Sequence, residues 1–465
     1  MRELCTKPPR VSAAVLSIPE LSIPALFVLV LFVPVLFVPV FPRAEPLYAQ
    51  SPRAVERARE LAKTYPEYAD DILVSKPDFI VFAPKKDLKK VGDTFNCHFH
   101  VFDKPDGTLF AVWTQGTREG DVDHHIAFSK STDKGLTWSE PEILAGSPNA
   151  VHPRLRASWQ QAMVSKSGRI YVLWSQQVSN TPDQVCGAMF GIYSDNNGDS
   201  WSPPRKVTFG RAGEGDTGTD DPTPMWCNWQ RPLRLGEDGR FLVASSHHRN
   251  LKNGSSEVST EFLQYDNIDD DPAVEDIRLK WFCVGDKGLF WQGLSSTCEE
   301  SSLVKLPDGR LFTIMRTSAG YPVWSVSGDN GQTWAEPKPL RDRDGGQVLK
   351  HPRSPCPIYD RYGCEAGSGY YFAFIHNTYD EQSKNEWQNR GALYLLAGKY
   401  QPDAEQPVWF APPRLFSARE SNNSFYSSST VVDGKTVLWY NDKKFYLLGR
   451  YIGDEWFSYW DEEQN

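Results

Sequence analysis

One octapeptide, written three times, limits what this chain can fold into. Ser131-Thr132-Asp133-Lys134-Gly135-Leu136-Thr137-Trp138 and Ser327-Gly328-Asp329-Asn330-Gly331-Gln332-Thr333-Trp334 both read S-x-D-x-G-x-T-W. Ser194 to Trp201 repeats the pattern with Asn196 for the aspartate and Ser200 for the threonine. These residue types make a turn. The Asx side chain accepts bonds from turn amides, glycine supplies a dihedral that other residues avoid, and tryptophan offers a flat apolar face. Asp133 and Asp329 are therefore expected to be scaffold, not catalysts. A motif that recurs in this way marks a repeated structural unit. From Ser131 to Ser194 is 63 residues, and from Ser194 to Ser327 is 133. The second interval is about twice the first, so one unit without the motif should lie between, around residues 215–290.

A second repeat has the form of a hairpin. Strand-like runs occur at 79–84, 108–114, 169–175, 240–246, 310–316, 370–376, 392–398 and 436–441. Several follow a glycine turn: Asp106-Gly107, Ser167-Gly168, Asp238-Gly239, Asp308-Gly309 and Asp433-Gly434. Asp-Gly tolerates the positive φ that a tight two-strand turn needs, and alternating apolar residues on either side complete the signal. In the stretch Cys298–Trp334 this reading places Glu300 ahead of the first strand and Arg316 at the end of the second, near one another. Helical periodicity is confined to 51–63, where Ser51 looks like a cap. With 16 Trp and 19 Tyr against five Met, and 34 each of Gly and Pro, the composition suits short strands and many turns. The net charge of −9 and the lack of a basic stripe argue against a nucleic-acid partner.

Residues 1–49 are of another kind. Arg2, Lys7 and Arg10 precede an apolar run from Pro24 to Pro42, interrupted by Pro34 and Pro39, and Leu47 and Ala49 suit a cleavage site. A signal peptide is expected, with a membrane anchor as the competing reading. The mature chain would be secreted or periplasmic, without a stable membrane partner. Residues 50–75 would form a helical lead-in and 76–465 the main domain. Loss of Cys5 leaves seven cysteines, an odd number, so at least one thiol stays unpaired within the chain. Cys356 and Cys364 could close a short loop. No C-x-x-C pair suggests zinc.

The octapeptides resemble the Asp-box, or BNR, repeat of sialidase-type β-propellers. That resemblance, with about 65 residues per unit, implies an all-β fold: a six-bladed β-propeller with Asp-box turns. It extends to the site. An acidic residue, a D-G turn eight residues on and an arginine eight beyond its aspartate are matched by Glu300, Asp308-Gly309 and Arg316. Arg390, before a G-x-Y-L strand, resembles a second carboxylate-binding arginine. Phe425-Tyr426-Ser427 resembles the segment that carries the tyrosine nucleophile. Arg118-Glu119-Gly120-Asp121-Val122-Asp123 sits where the family has its pocket arginine and acid/base, which implies Arg118 with Asp121, or Asp123 in reserve. The roles are chemically coherent. Guanidinium forks bind carboxylate bidentately, and a neutral phenol is not repelled by a substrate carboxylate but needs a base, Glu300, within hydrogen-bond reach. Glu299 could exchange roles with Glu300.

One departure from the family is plain. Its first carboxylate-binding arginine belongs in an R-I-P segment ahead of the first D-G turn, where this chain reads Phe95-Asn96-Cys97-His98-Phe99-His100. Alternation on a strand would put His98 and His100 on one face, as packing residues, as substrate contacts, or as a metal pair lacking a third ligand. The missing cation could come from Arg154, Arg231 or Arg353, two of them in a repeated His-Pro-Arg. His124-His125 and His247-His248 suit the rim, and Asp269–Asp271 a solvated loop. The resemblance implies an exported exo-glycosidase acting on sialylated or other acidic glycans, with no cofactor and no metal. Two other classes stay open: a hydrolase or lyase on another acidic glycan, rich in uronic acid or rhamnose and using His98 or His100, and a glycan-binding propeller without catalysis.

Overall fold

Alternating residues form hairpins, and the hairpins stack into blades. The structure, a computed structural model, describes residues 50–462 apart from 87–91, 105, 150–155, 178–186, 209–225, 251–255, 285–287, 292–296, 364–366, 379–389, 421, 422 and 424. The expected leader at 1–49, Arg154, Cys186 and Cys364 thus lie outside the described residues. Among the described residues six antiparallel sheets, four of four strands and two of five, follow one another around a ring as a six-bladed β-propeller. Blade 1 runs Phe95–Asp103, Leu109–Gly116, His125–Ser131 and Glu142–Gly146, and blade 2 opens with Ala157–Val164. Blade 3 is built on the long hairpin Phe241–Asn250 and Ser256–Tyr265, blade 4 on Cys298–Lys305 and Leu311–Thr317, blade 5 on Tyr370–Ile375 and Leu393–Tyr400. Blade 6 comprises Ser427–Val432, Lys435–Asp442 and Tyr446–Tyr451, and its outer strand is Phe79–Phe82 from the other end of the chain. That last pairing closes the ring by joining the two ends of the chain in one blade.

The octapeptides occupy one position in every blade that has them, between the third and fourth strands. In blade 4, Asp329 Oδ1 accepts from Thr333 N at 2.8 Å and from Ser327 Oγ at 2.8 Å, while Oδ2 accepts from Thr333 Oγ1 at 2.6 Å. Asp133 repeats these bonds in blade 1. In blade 2 the paired exchange of Asn for Asp and Ser for Thr preserves the turn, because Asn196 Nδ2 donates to Ser200 Oγ at 2.9 Å. Each box tryptophan then packs against the preceding blade: Trp138 on Trp439, Trp201 on Phe128 and Trp334 on Phe262. The box glycine is required twice over. Gly331 has φ +86°, and a Cβ there would lie 2.4 Å from Leu242 of blade 3. Blade 3 itself has no box, as the interval of 133 implied.

The apolar residues collect into one cluster at each blade junction. Trp113 and Trp439 anchor blades 6 and 1, Phe128 and Trp174 blades 1 and 2, Tyr171 and Tyr265 blades 2 and 3. Leu242 and Met315 join blades 3 and 4, Phe312 and Tyr371 blades 4 and 5, Phe374 and Tyr440 blades 5 and 6. The helices Pro52–Ala62 and Tyr68–Leu73 cover the last junction through Ala58, Tyr68 and Ile72. Ser51 makes no side-chain cap there; Pro52 begins the helix, its fixed φ already suited to it. Among the described residues no helix is long and apolar enough to cross a membrane. Cys356 is a free, buried thiol.

Candidate active site

Three inner strands share one irregularity, and it aims the site. Pairing of the first two strands shifts register between Cys97 and His100 in blade 1, between Ser158 and Gln161 in blade 2, and between Glu299 and Ser302 in blade 4. Within each shift one non-glycine residue is left-handed: His98 at φ +52°, Trp159 at +51° and Glu300 at +47°. Such backbone is costly and persists only where its surroundings enforce it. A bulge turns a side chain off the regular alternation, and all three residues line one cavity of about 260 Å³. Glu300 therefore lies inside the strand Cys298–Lys305 at a bulge, not ahead of the strand as alternation suggested. The corresponding bulge in blade 1 separates His98 from His100. His98 reaches the cavity, whereas His100 is fully buried with Nε2 2.5 Å from Trp229 O.

Around the cavity stand Tyr426, Glu299, Glu300, Arg316, Arg353 and Arg390, joined by Glu119, Arg156 and Lys444. Tyr426 Oη donates to Glu300 Oε1 at 2.7 Å. Glu300 Oε2 accepts from Arg316 Nη1. Burial first, and the Glu300 charge second, hold the Tyr426 phenol well above its ordinary range, so the hydroxyl is protonated at rest. Glu299 lines the same cavity and accepts from Arg353 Nε at 2.8 Å. Arg316 Nε lies 3.5 Å from the same Glu299 oxygen. Burial would raise the Glu299 carboxyl, but Arg316 and Arg353 override it and bring it down to about 2. The two neighbouring glutamates thus part company: Glu300 meets the tyrosine, and Glu299 locks two guanidinium groups. Arg390 donates to Arg353 O. Burial, then the nearby Arg316 charge, lowers its hold on its proton.

The loop after Leu109–Gly116 is arranged differently from the sequence expectation. Asp121 pairs with Arg118 at 3.1 Å within its own turn, and the Arg118 side chain is 79% exposed. Asp123 is consumed by the loop, accepting from Thr117 Oγ1 at 2.6 Å. None of these three lines the cavity. The carboxylate that does is Glu119, 2.7 Å from Lys444 Nζ. Lys444 also lies 5.6 Å from the Tyr426 ring centre. Of the arginines considered for the missing cation, Arg353 is at the cavity and Arg231 is not. Arg231 lies in a second cavity, with Lys305 and Ser429, towards the opposite end of the inner strands. His124 and His248 reach the cavity, while His125 and His247 are buried beside it. Among the described residues no cluster of three His, Cys, Asp or Glu could hold a metal.

The BNR repeat-like domain matches residues 107–438. The chain belongs to the BNR repeat-like family. A search of curated proteins gave no match. Solved structures share the fold at low identity. The intramolecular trans-sialidase of Ruminococcus gnavus in complex with oseltamivir carboxylate superposes with a TM-score of 0.56 at 13% identity, over 81% of this chain and 97% of that one. A leech intramolecular trans-sialidase with 2,7-anhydro-Neu5Ac gives 0.56 and 14%, over 84% and 73%. The NanB sialidase of Streptococcus pneumoniae gives 0.55 and 13%, over 80% and 69%.

Sequence reasoning about this BNR repeat-like chain missed Lys444, Arg156, Trp159 and Glu119 as cavity residues. Glu119 was within reach, two residues from the chosen Asp121. Lys444 belongs to the turn Asp442-Lys443-Lys444, whose lysines both have positive φ, and no local pattern announces that its ammonium returns to the channel.

Proposed function

We propose that this protein is an exported exo-glycosidase of sialidase type, which removes a terminal sialic acid or a related acidic sugar with retention of configuration. The observation that carries the reading is the 2.7 Å bond from Tyr426 Oη to Glu300 Oε1 in a cavity walled by arginines. Glu300 takes the phenol proton as Tyr426 Oη attacks the anomeric carbon, giving a tyrosyl-glycoside, as in glycosidases that use tyrosine. A phenol that is neutral at rest approaches a carbon bearing a carboxylate without charge repulsion. Among the described residues five cationic side chains face three carboxylates in the cavity, an excess suited to one anionic sugar. Arg316, Arg353 and Arg390 would hold its carboxylate, and Glu119, exchanging its bond to Lys444 for the substrate, would protonate the leaving oxygen and then activate water. Asp121 would serve only if its loop turned inward and gave up Arg118. A role in binding alone is disfavoured, because glycan binding needs no base on a buried phenol. The natural partners would be sialylated or other acidic glycans outside the cytoplasm, reached through a leader at 1–49.

The reading is tested with fluorogenic glycosides of sialic, uronic and neutral sugars, wild type against Tyr426→Phe. Turnover of an acidic glycoside, lost in Tyr426→Phe, is expected. Turnover of neutral sugars alone, or full activity without the hydroxyl, refutes it.

A further inference from the structure

His98 stands in the cavity at the bulge of blade 1, and its hydrogen bonds fix which ring nitrogen carries the proton. Gln160 sets the direction of these bonds. Its Nε2 donates to two backbone carbonyls, His98 O and Val112 O, the latter at 3.3 Å. Carbonyls only accept, so the amide cannot be turned round, and Gln160 Oε1 must be the atom 3.0 Å from Thr114 Oγ1. That oxygen takes the Thr114 hydroxyl proton. Thr114 Oγ1 then has only lone pairs left. One receives Trp159 N at 3.2 Å, and the other lies 3.2 Å from His98 Nδ1. Nδ1 must therefore carry hydrogen. The ring is boxed in besides, edge-on to Tyr426 at 4.9 Å and tilted against Trp159 at 5.5 Å between centroids.

We propose that His98 presents an unprotonated Nε2 to the cavity as a hydrogen-bond acceptor, so that the sugar group lying against it is a donor, a hydroxyl or amide N–H near the anomeric carbon, and not a carboxylate. Burial, reinforced by Lys444, His100 and His124, independently favours the neutral ring. The substrate class this selects is an acidic sugar whose carboxylate lies on the Arg316 side and whose edge against His98 carries a donor. A guanidinium at position 98 could only donate; a neutral Nδ1–H imidazole does the reverse. Thr114, Gln160 and Trp159 act through His98 as positioning residues.

The inference rests on the glycosidase reading for its substrate half but not for its tautomer half, and the experiment separates the two. Long-range proton–nitrogen NMR correlations on protein labelled at histidine nitrogens, with His98 assigned by its disappearance in His98→Phe, read the tautomer with no substrate present. The Nδ1–H form is expected in wild type at neutral pH, and a shift of that signal in Thr114→Val and in Gln160→Met. An Nε2–H form, or an imidazolium, overturns the proposal whatever the enzyme hydrolyses. The second arm compares kcat/KM for an acidic glycoside bearing a hydroxyl beside the anomeric carbon and for its deoxy analogue. Wild type should prefer the hydroxylated sugar about tenfold, the value of one directed hydrogen bond, and His98→Phe should bring that ratio near one. An unchanged ratio in His98→Phe overturns the donor requirement. Failure to cleave any glycoside would instead count against the glycosidase reading, and the tautomer spectrum would still decide the acceptor.

Discussion

Replacing Glu299 with glutamine probes the electrostatic frame without touching the Tyr426–Glu300 hydrogen bond. Glu299 is buried, with 3% of its surface exposed, and it sits between Arg316 and Arg353. Its carboxyl titrates at about 2 in the folded chain against an ordinary value of 4.5. At about 1.4 kcal/mol per unit, the ionised form contributes about 3 kcal/mol of stability. Because the folded value is depressed, that contribution is complete above the unfolded value and is lost as the pH falls from about 4.5 towards about 2. Glu299→Gln lacks it at every pH. Urea unfolding should therefore separate wild type from the variant by about 3 kcal/mol at pH 7, by roughly half that near pH 3, and by little near pH 2. A gap of the same size at pH 7 and pH 3 would refute the reasoning, since it would assign the effect to packing and not to charge.

Other consequences are simpler. Glu300→Gln leaves Arg316 with Glu299 and should lower kcat roughly 100- to 10,000-fold, the range for loss of a general base, with KM little changed in steady-state assays. Glu119→Gln should slow glycosides with poor leaving groups far more than activated aryl glycosides, whereas Asp121→Asn should leave both rates near wild type. Asp329→Ala, which removes three short bonds of the blade 4 turn, should cost about 1–2 kcal/mol in thermal or urea unfolding, with kcat unaltered.

The repeat was legible because its signals are local. Alternation, Asp-Gly turns and the octapeptide each specify a hairpin or a corner within ten residues, and the doubled interval located the boxless third blade. What escaped was non-local or only one residue deep. A bulge at His98, Trp159 or Glu300 shifts the register by a single position and carries no compositional mark; strict alternation consequently misplaced Glu300 and sent His100 to the same face as His98. Lys444 reaches Glu119 only because the ring closes, bringing blade 6 against blade 1. Asp121 and Glu119 are equally acidic in sequence. What separates them is a turn in which Arg118 captures the first and leaves the second to the cavity.

The central claim, that Tyr426 with Glu300 as its base forms the covalent intermediate, is tested most directly by trapping it. The protein is quenched with a slowly turned-over fluorinated acidic glycosyl fluoride, digested and mapped by mass spectrometry. The account predicts a glycosyl adduct on the peptide carrying Tyr426, absent in Tyr426→Phe and greatly slowed in Glu300→Gln. An adduct on Glu300 itself, or turnover of the same sugar in Tyr426→Phe at the wild-type rate, would contradict it.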